Sequence, residues 1–97
     1  MKPQTGQEKL GECRRNIDRI DLQLLALLNE RARVVEIIGS VKREESMPVY
    51  EPKREDQVYK NVLENNSGPL SSDAVRRIFE RVIDEMRTLQ KTRMQSQ

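Results

Sequence analysis

Apolar side chains recur along this chain at helical spacing, and the first run is long. Leu10, Ile17, Ile20, Leu24, Leu27, Leu28, Val34, Val35, Ile38 and Val41 follow by threes, fours and sevens, the repeat of one helical stripe. The pattern predicts a helix from about Glu8 to Glu44, interrupted at Gly39. A glycine inside a helix costs roughly 1 kcal/mol relative to alanine, so Gly39 points to close packing. Ser46-Met47-Pro48-Val49-Tyr50 reads as a connector, because Pro48 disfavours helix for Met47 before it. Pro52 suits the first position of a second helix, with Glu51 in the cap slot. Val58, Val62 and Leu63 give that helix one apolar face, and the turn cluster Asn65-Asn66-Ser67-Gly68-Pro69 follows. Ser71 or Ser72 caps a third helix, with Asp73 favoured in its first turn. Its apolar side holds Val75, Ile78, Phe79, Val82, Ile83, Met86 and Leu89. Alternating β-branched runs, the mark of strands, are missing from the sequence. The expected fold is all-α, with a long, a short and a medium helix. Residues 1–9 read as a flexible tail, 10–90 as one domain and 91–97 as a polar C-terminal tail.

The length of the first helix bears on assembly. About 36 helical residues make a rod of roughly 55 Å, whereas a compact domain of this size has a radius of gyration of about 13 Å. The remaining residues of one chain are too few to cover such a rod. A large bare apolar stripe marks an interface, so an intertwined helical homodimer is expected.

Composition narrows the function classes. The 97 residues are 35% apolar, 35% charged and only 3% aromatic, with 18 basic against 16 acidic residues and a net charge of +2. The signs are interleaved, as on solvated helix faces. No polybasic block with aromatic neighbours exists, which argues against nucleic-acid binding. Histidine is missing, and with it the usual general base at neutral pH and the commonest metal ligand. Cys13 is the only cysteine, so no intrachain disulfide forms, and a reducing compartment is compatible. No apolar run approaches the ~18 residues of a membrane span, and Met1 to Lys9 lacks the apolar core of a signal peptide. The expected address is the cytoplasm.

Three cations sit where apolar residues belong: Arg14, Arg31 and Lys42 lie on or beside the stripe. A buried cation without a partner costs several kcal/mol, so something anionic should meet them. Eleven residues separate Arg31 from Lys42, which puts them on one face to within about 20° and about 16 Å apart. Arg14 precedes Arg31 by seventeen residues, roughly 25 Å away and rotated by about 100°. It can hardly share a pocket with Arg31 on one straight rod, but it can join a pocket on an antiparallel partner rod. Glu51, Arg54 and Glu55 form a second group at the start of the second helix. Gln90, one turn beyond Met86, adds an uncharged amide donor. A plainer account also stands: Arg14 pairing with Asp18, Arg31 reaching water, and Lys42 favouring a helix C-terminus. On the residues alone, an anion pocket and a plain dimeric helical module both remain open.

The same residues resemble a family signature. Leu10-x-x-Cys13-Arg14-x-x-Ile17-Asp18-x-Ile20-Asp21-x-x-Leu24-Leu25-x-Leu27-Leu28-Asn29-x-Arg31 is similar to the opening of the AroQ-class, all-helical chorismate mutases. Ile38-Gly39-x-x-Lys42 continues it, followed by Pro48-Val49-Tyr50-Glu51-Pro52-x-Arg54-Glu55, Gly68-Pro69-Leu70-Ser71, Ile78-Phe79 and Gln90. The resemblance spans about Leu10 to Gln90, nearly the whole chain.

It implies an intertwined dimer with two equivalent sites for chorismate, a dianion rearranged to prephenate on the way to phenylalanine and tyrosine. Arg31, Arg54 and Lys42 would line one pocket, with Arg14 reaching in from the other subunit. The arginines would grip the two carboxylates with their forked donors. Lys42 and Gln90 would donate to the ether oxygen of the breaking bond. Glu55 would accept from the ring hydroxyl, assisted by the backbone near Glu51. Such a rearrangement uses no nucleophile, proton transfer, metal or cofactor; orientation and charge stabilisation suffice. Two positions depart from the pattern. Met86 stands where many members have serine, which removes a hydroxyl contact to a carboxylate. Glu51 replaces a more usual aspartate, a better helix cap. The rival readings are an isochorismate pyruvate lyase of the same fold and a non-catalytic dimerisation or regulatory module.

Overall fold

The computed structural model describes residues 2–95, with the side chains of Met94 and Gln95 left aside. The described residues form three helices: α1 over Gly6–Glu44, α2 over Pro52–Glu64 and α3 over Ser72–Gln95. No strand is present among the described residues. The all-α expectation holds, with the helices in the order long, short, medium. Among the described residues no helix is long and apolar enough to cross a membrane. The chain divides into two units, residues 1–31 and residues 32–97.

In the first unit, α1 starts two residues earlier than its apolar pattern suggests. Thr5 is the reason: its Oγ1 accepts the Glu8 backbone N–H at 3.1 Å, and its carbonyl accepts from Lys9 at 3.0 Å. The spacing Thr5-x-x-Glu8 is that of a capping box, so residues 6–9 are helical rather than loose. From Leu10 to Leu27 the large apolar side chains are exposed, and Leu28 is half-buried.

The second unit holds the core. Val35 from α1 with Val75 and Ile83 from α3 form its buried apolar centre. Val58, Val62 and Leu63 of α2 are half-buried, as are Phe79, Val82, Met86 and Leu89 of α3. Ile78, expected on the same side, is exposed.

Local chemistry sets the helix ends. Ser46 ends α1 in the left-handed region, at φ 54°. The Met47 N–H donates to the Lys42 carbonyl at 2.7 Å and the Ser46 N–H to that of Arg43 at 3.2 Å, a C-terminal motif that satisfies the last carbonyls. Pro52 opens α2 as expected. Ser71, rather than Ser72, caps α3: its Oγ accepts the Ala74 N–H at 3.1 Å. The expected polar tail after Gln90 is instead five further residues of α3. Nothing in Lys91-Thr92-Arg93 breaks a helix, and the Arg93 guanidinium pairs with Glu36 of α1 at 2.6 Å. Residues 96 and 97 lie outside the described part.

Candidate active site

Lys42 organises the site from both its backbone and its side chain. Its carbonyl closes the end of α1, and its ammonium turns into the protein, where the side chain is 9% exposed. That ammonium meets three acceptors: the Val49 carbonyl at 3.0 Å, Gln90 Oε1 at 3.1 Å and Glu51 Oε1 at 2.7 Å. An ammonium has three N–H donors, so the number of acceptors matches. One comes from the connector, one from α3 and one from the residue ahead of α2. This burial is inconsistent with a lysine merely solvating a helix end.

Gln90 is buried and orders its amide against Lys42. Because an ammonium only donates, the carbonyl end of Gln90 faces it and the NH₂ end is left to face elsewhere. Gly39 explains how Gln90 gets so close to α1. A Cβ on Gly39 would stand 3.3 Å from Gln90 Cγ and 3.6 Å from the Gln90 backbone carbonyl oxygen. The close packing inferred from a mid-helix glycine is therefore packing against Gln90.

Glu51 occupies the cap position of α2, yet its side chain makes no capping bond. The longer side chain of glutamate reaches Lys42 instead. Glu55 lies one turn into α2 and is held by Arg87 of α3. Arg87 Nη2 donates to Glu55 Oε2 at 2.6 Å, while Nη1 donates to Asp84 Oδ1 at 3.3 Å. The guanidinium also lies over the Tyr50 ring, 5.3 Å from its centroid. The hydrogen bond that Arg87 donates to Glu55 is the main cause that raises the Arg87 pKa above its ordinary value; burial opposes it, and the charges of Glu55 and Asp84 add to it. Among the described residues its inward Nε finds no acceptor, a deficit worth about 1–3 kcal/mol. Nearby, burial and the carboxylates of Glu80, Glu55 and Asp84 push the Tyr59 hydroxyl up, opposed by Arg76, whose guanidinium lies 4.9 Å over the Tyr59 ring.

The structure thus brings Lys42, Glu51 and Gln90 into direct contact, with Glu55 locked to Arg87. Met86 is half-buried on α3. Arg54 is exposed on the first turn of α2, its Nη1 3.4 Å from Gln57 Oε1. In the first unit Arg14 is exposed and Arg31 half-buried. Arg87 was not singled out from sequence, because no local spacing relates a residue on α3 to one on α2. Its only signal is a cation on the flank of an apolar face, next to Met86.

Comparisons with known proteins bear on the family and the fold. The bifunctional chorismate mutase/prephenate dehydratase of Aquifex aeolicus is 35% identical over 88 residues, 87% of this chain but 24% of that protein. This chain therefore spans about a quarter of the length of that relative. The chorismate mutase of Methanocaldococcus jannaschii is 31% identical, covering 87% of this chain and 86% of that protein. Among solved structures, chorismate mutase from Helicobacter pylori in complex with prephenate superposes with a TM-score of 0.84 at 25% identity. The superposition covers 91% of this chain and 96% of that one. The family model for chorismate mutase type II matches residues 13–91, and the chain belongs to that family.

Proposed function

We propose that this chain rearranges chorismate to prephenate. The reading rests above all on one observation: a lysine ammonium inside the protein, 9% exposed, beside a buried amide at 3.1 Å. Negative charge grows on the ether oxygen as its carbon–oxygen bond breaks and the new carbon–carbon bond forms. Donors fixed beforehand at that oxygen stabilise the transition state more than the ground state. Lys42 and the NH₂ end of Gln90 are suited to the task. Because Lys42 already has three acceptors, the ether oxygen replaces one of them on binding. Glu51 is the most exposed of these groups whose side chain can swing aside, at 41%.

Glu55 accepts from the ring hydroxyl in this reading, and Arg31 and Arg54 take the substrate carboxylates, with Arg14 supplied by a second chain. Met86 offers no hydroxyl, so the carboxylate contact that the resemblance would give to a serine there is lost or made by water. The bare leucines of the first unit support an intertwined homodimer, since a second copy buries them. A cytoplasmic address accompanies the proposal, and the exposed thiol of Cys13 suits it.

Incubation of the purified chain with chorismate, and separately with isochorismate, tests the reading. Prephenate should form from the first and pyruvate should not be released from the second; a well-folded dimer that turns over neither is a helical module. Lys42→Ala should lower turnover by about 100-fold or more, as for loss of one oxyanion donor. An effect below about fivefold removes Lys42 from the role. Mixed Arg14→Ala and Arg31→Ala chains should regain activity on subunit exchange, because one site in each heterodimer is then intact.

A further inference from the structure

The Arg87 guanidinium stands behind Glu55, the group that the proposed function assigns to the ring hydroxyl. It divides its fork between two carboxylates, one arm on Glu55 Oε2 at 2.6 Å and the other on Asp84 Oδ1 at 3.3 Å. A fork placed wholly on Glu55 would engage both of its oxygens. Divided in this way, it fixes one oxygen and leaves Oε1 outside its grip. The Tyr50 ring under the guanidinium, 5.3 Å away, adds a cation–π contact that holds the plane of the fork. The Glu55 side chain is 22% exposed and that of Arg87 36% exposed, so the pair is partly screened yet mostly out of water.

Charge gives this contact a second consequence. Glu55 is an anion asked to sit beside a dianion, and like charges in a partly dry site repel. A cation directly behind Glu55 offsets that repulsion without touching the substrate. We propose that Arg87 is the positioning residue for Glu55, aiming its free oxygen at the ring hydroxyl and balancing its charge against the anionic substrate. This role rests on the chorismate mutase reading. The hydroxyl is remote from the bonds that break and form, so the contact is much the same in the ground and transition states. Its loss therefore weakens binding rather than slowing chemistry.

The test uses the 97-residue chain in steady-state assays with chorismate. Arg87→Met should raise KM about tenfold while kcat stays within about threefold. Arg87→Lys should bring KM back to within about threefold of the parent, since a point charge can still reach one carboxylate oxygen. In a Glu55→Gln background, Arg87→Met should change KM by less than about twofold, because the two residues act as one unit. A merely structural Arg87 would lower the melting temperature and the active fraction equally in both backgrounds, leaving KM alone. That pattern, an unchanged KM in Arg87→Met, or an equal KM effect without Glu55 overturns the proposal. An active parent enzyme with any of these results sinks only the role of Arg87, whereas a parent without chorismate turnover sinks the underlying reading as well.

Discussion

In the first unit Leu24 and Leu27 are 53% and 61% exposed, whereas in the second Val75 and Ile83 are 6% and 7% exposed. Both sets recur at helical spacing along their helices. The difference lies in what is available to cover them. Residues 32–95 bring parts of three helices together and bury the faces they share. Residues 2–31 consist of an N-terminal segment and most of one helix, so their stripe has no neighbour within the unit. A regular apolar pattern states a need for burial and not how it is met. The two units also differ in chemistry: the second holds its polar site groups by contacts within itself, while in the first Arg14 stands exposed.

The sharpest way to break this contrast is to charge the bare stripe. Leu27→Glu places a carboxylate where the proposed partner chain packs, and a buried unpaired charge costs several kcal/mol. Dimer affinity should weaken by about a thousandfold or more in Kd, seen as single chains in sedimentation and as lost turnover. An assembly unchanged by Leu27→Glu would mean that the stripe is simply solvated. The matching change in the second unit is Ile83→Ala. It should cost about 2–4 kcal/mol in unfolding free energy, as for other large-to-small core changes, while the mass of the assembly stays the same. If Ile83→Ala dissociated the protein and Leu27→Glu did not, the assignment of core and interface would be reversed.

Gly39→Ala probes the boundary between packing and chemistry in the second unit. The new methyl meets Gln90 Cγ at 3.3 Å, so the Gln90 side chain must shift by a few tenths of an ångström. Helix propensity improves by roughly 1 kcal/mol, which offsets the crowding, and stability should change little. Small misplacements of a catalytic group are costly, so turnover should fall by about tenfold at unchanged melting temperature. Unaltered turnover would mean that the amide position is not critical.

Much of this was legible along the chain, and the parts that were not share a cause. Helix spacing, Pro52, the serine cap of α3 and the proximity implied by Gly39 are local signals, each with a mechanism that acts over a few residues. Lys42 stands out by its place beside the apolar stripe, Glu51 by its group at the start of α2 and Gln90 by its amide one turn beyond Met86, their roles being what the resemblance implies; only the folded chain places the Lys42 ammonium within 3.1 Å of the other two. The Thr5-x-x-Glu8 capping box was local and readable, but the polar composition around it suggested a loose tail. Arg87 on Glu55 and Arg93 on Glu36 were not readable, because each joins two helices whose relative register no short spacing encodes. Glu51 shows the same limit: its position as a cap was correct, while the destination of its carboxylate depended on a lysine from another element.

The smallest effect expected gives the cleanest contrast, because the two units contain the same bond. Thr5 Oγ1 accepts from the Glu8 N–H at 3.1 Å, and Ser71 Oγ from the Ala74 N–H at 3.1 Å. The backbone bonds beside them, Lys9 to Thr5 and Val75 to Ser71, are both 3.0 Å. Judged by geometry the two caps are equal, and loss of either hydroxyl removes a bond worth about 1 kcal/mol. The helical turns beyond the two caps differ. The turn after Ser71 carries Val75, a core residue, so fraying there uncovers the core and is coupled to global unfolding. The turns after Thr5 are exposed apart from half-buried Gly11, and they can open without disturbing anything packed. Ser71→Ala should therefore lower the unfolding free energy by about 1 kcal/mol in a denaturant titration. Thr5→Ala should leave that value alone and instead speed amide exchange at Glu8 and Lys9. Equal losses from the two variants would mean that the start of α1 is packed in solution, which extends the covered surface of the first unit beyond the leucine stripe.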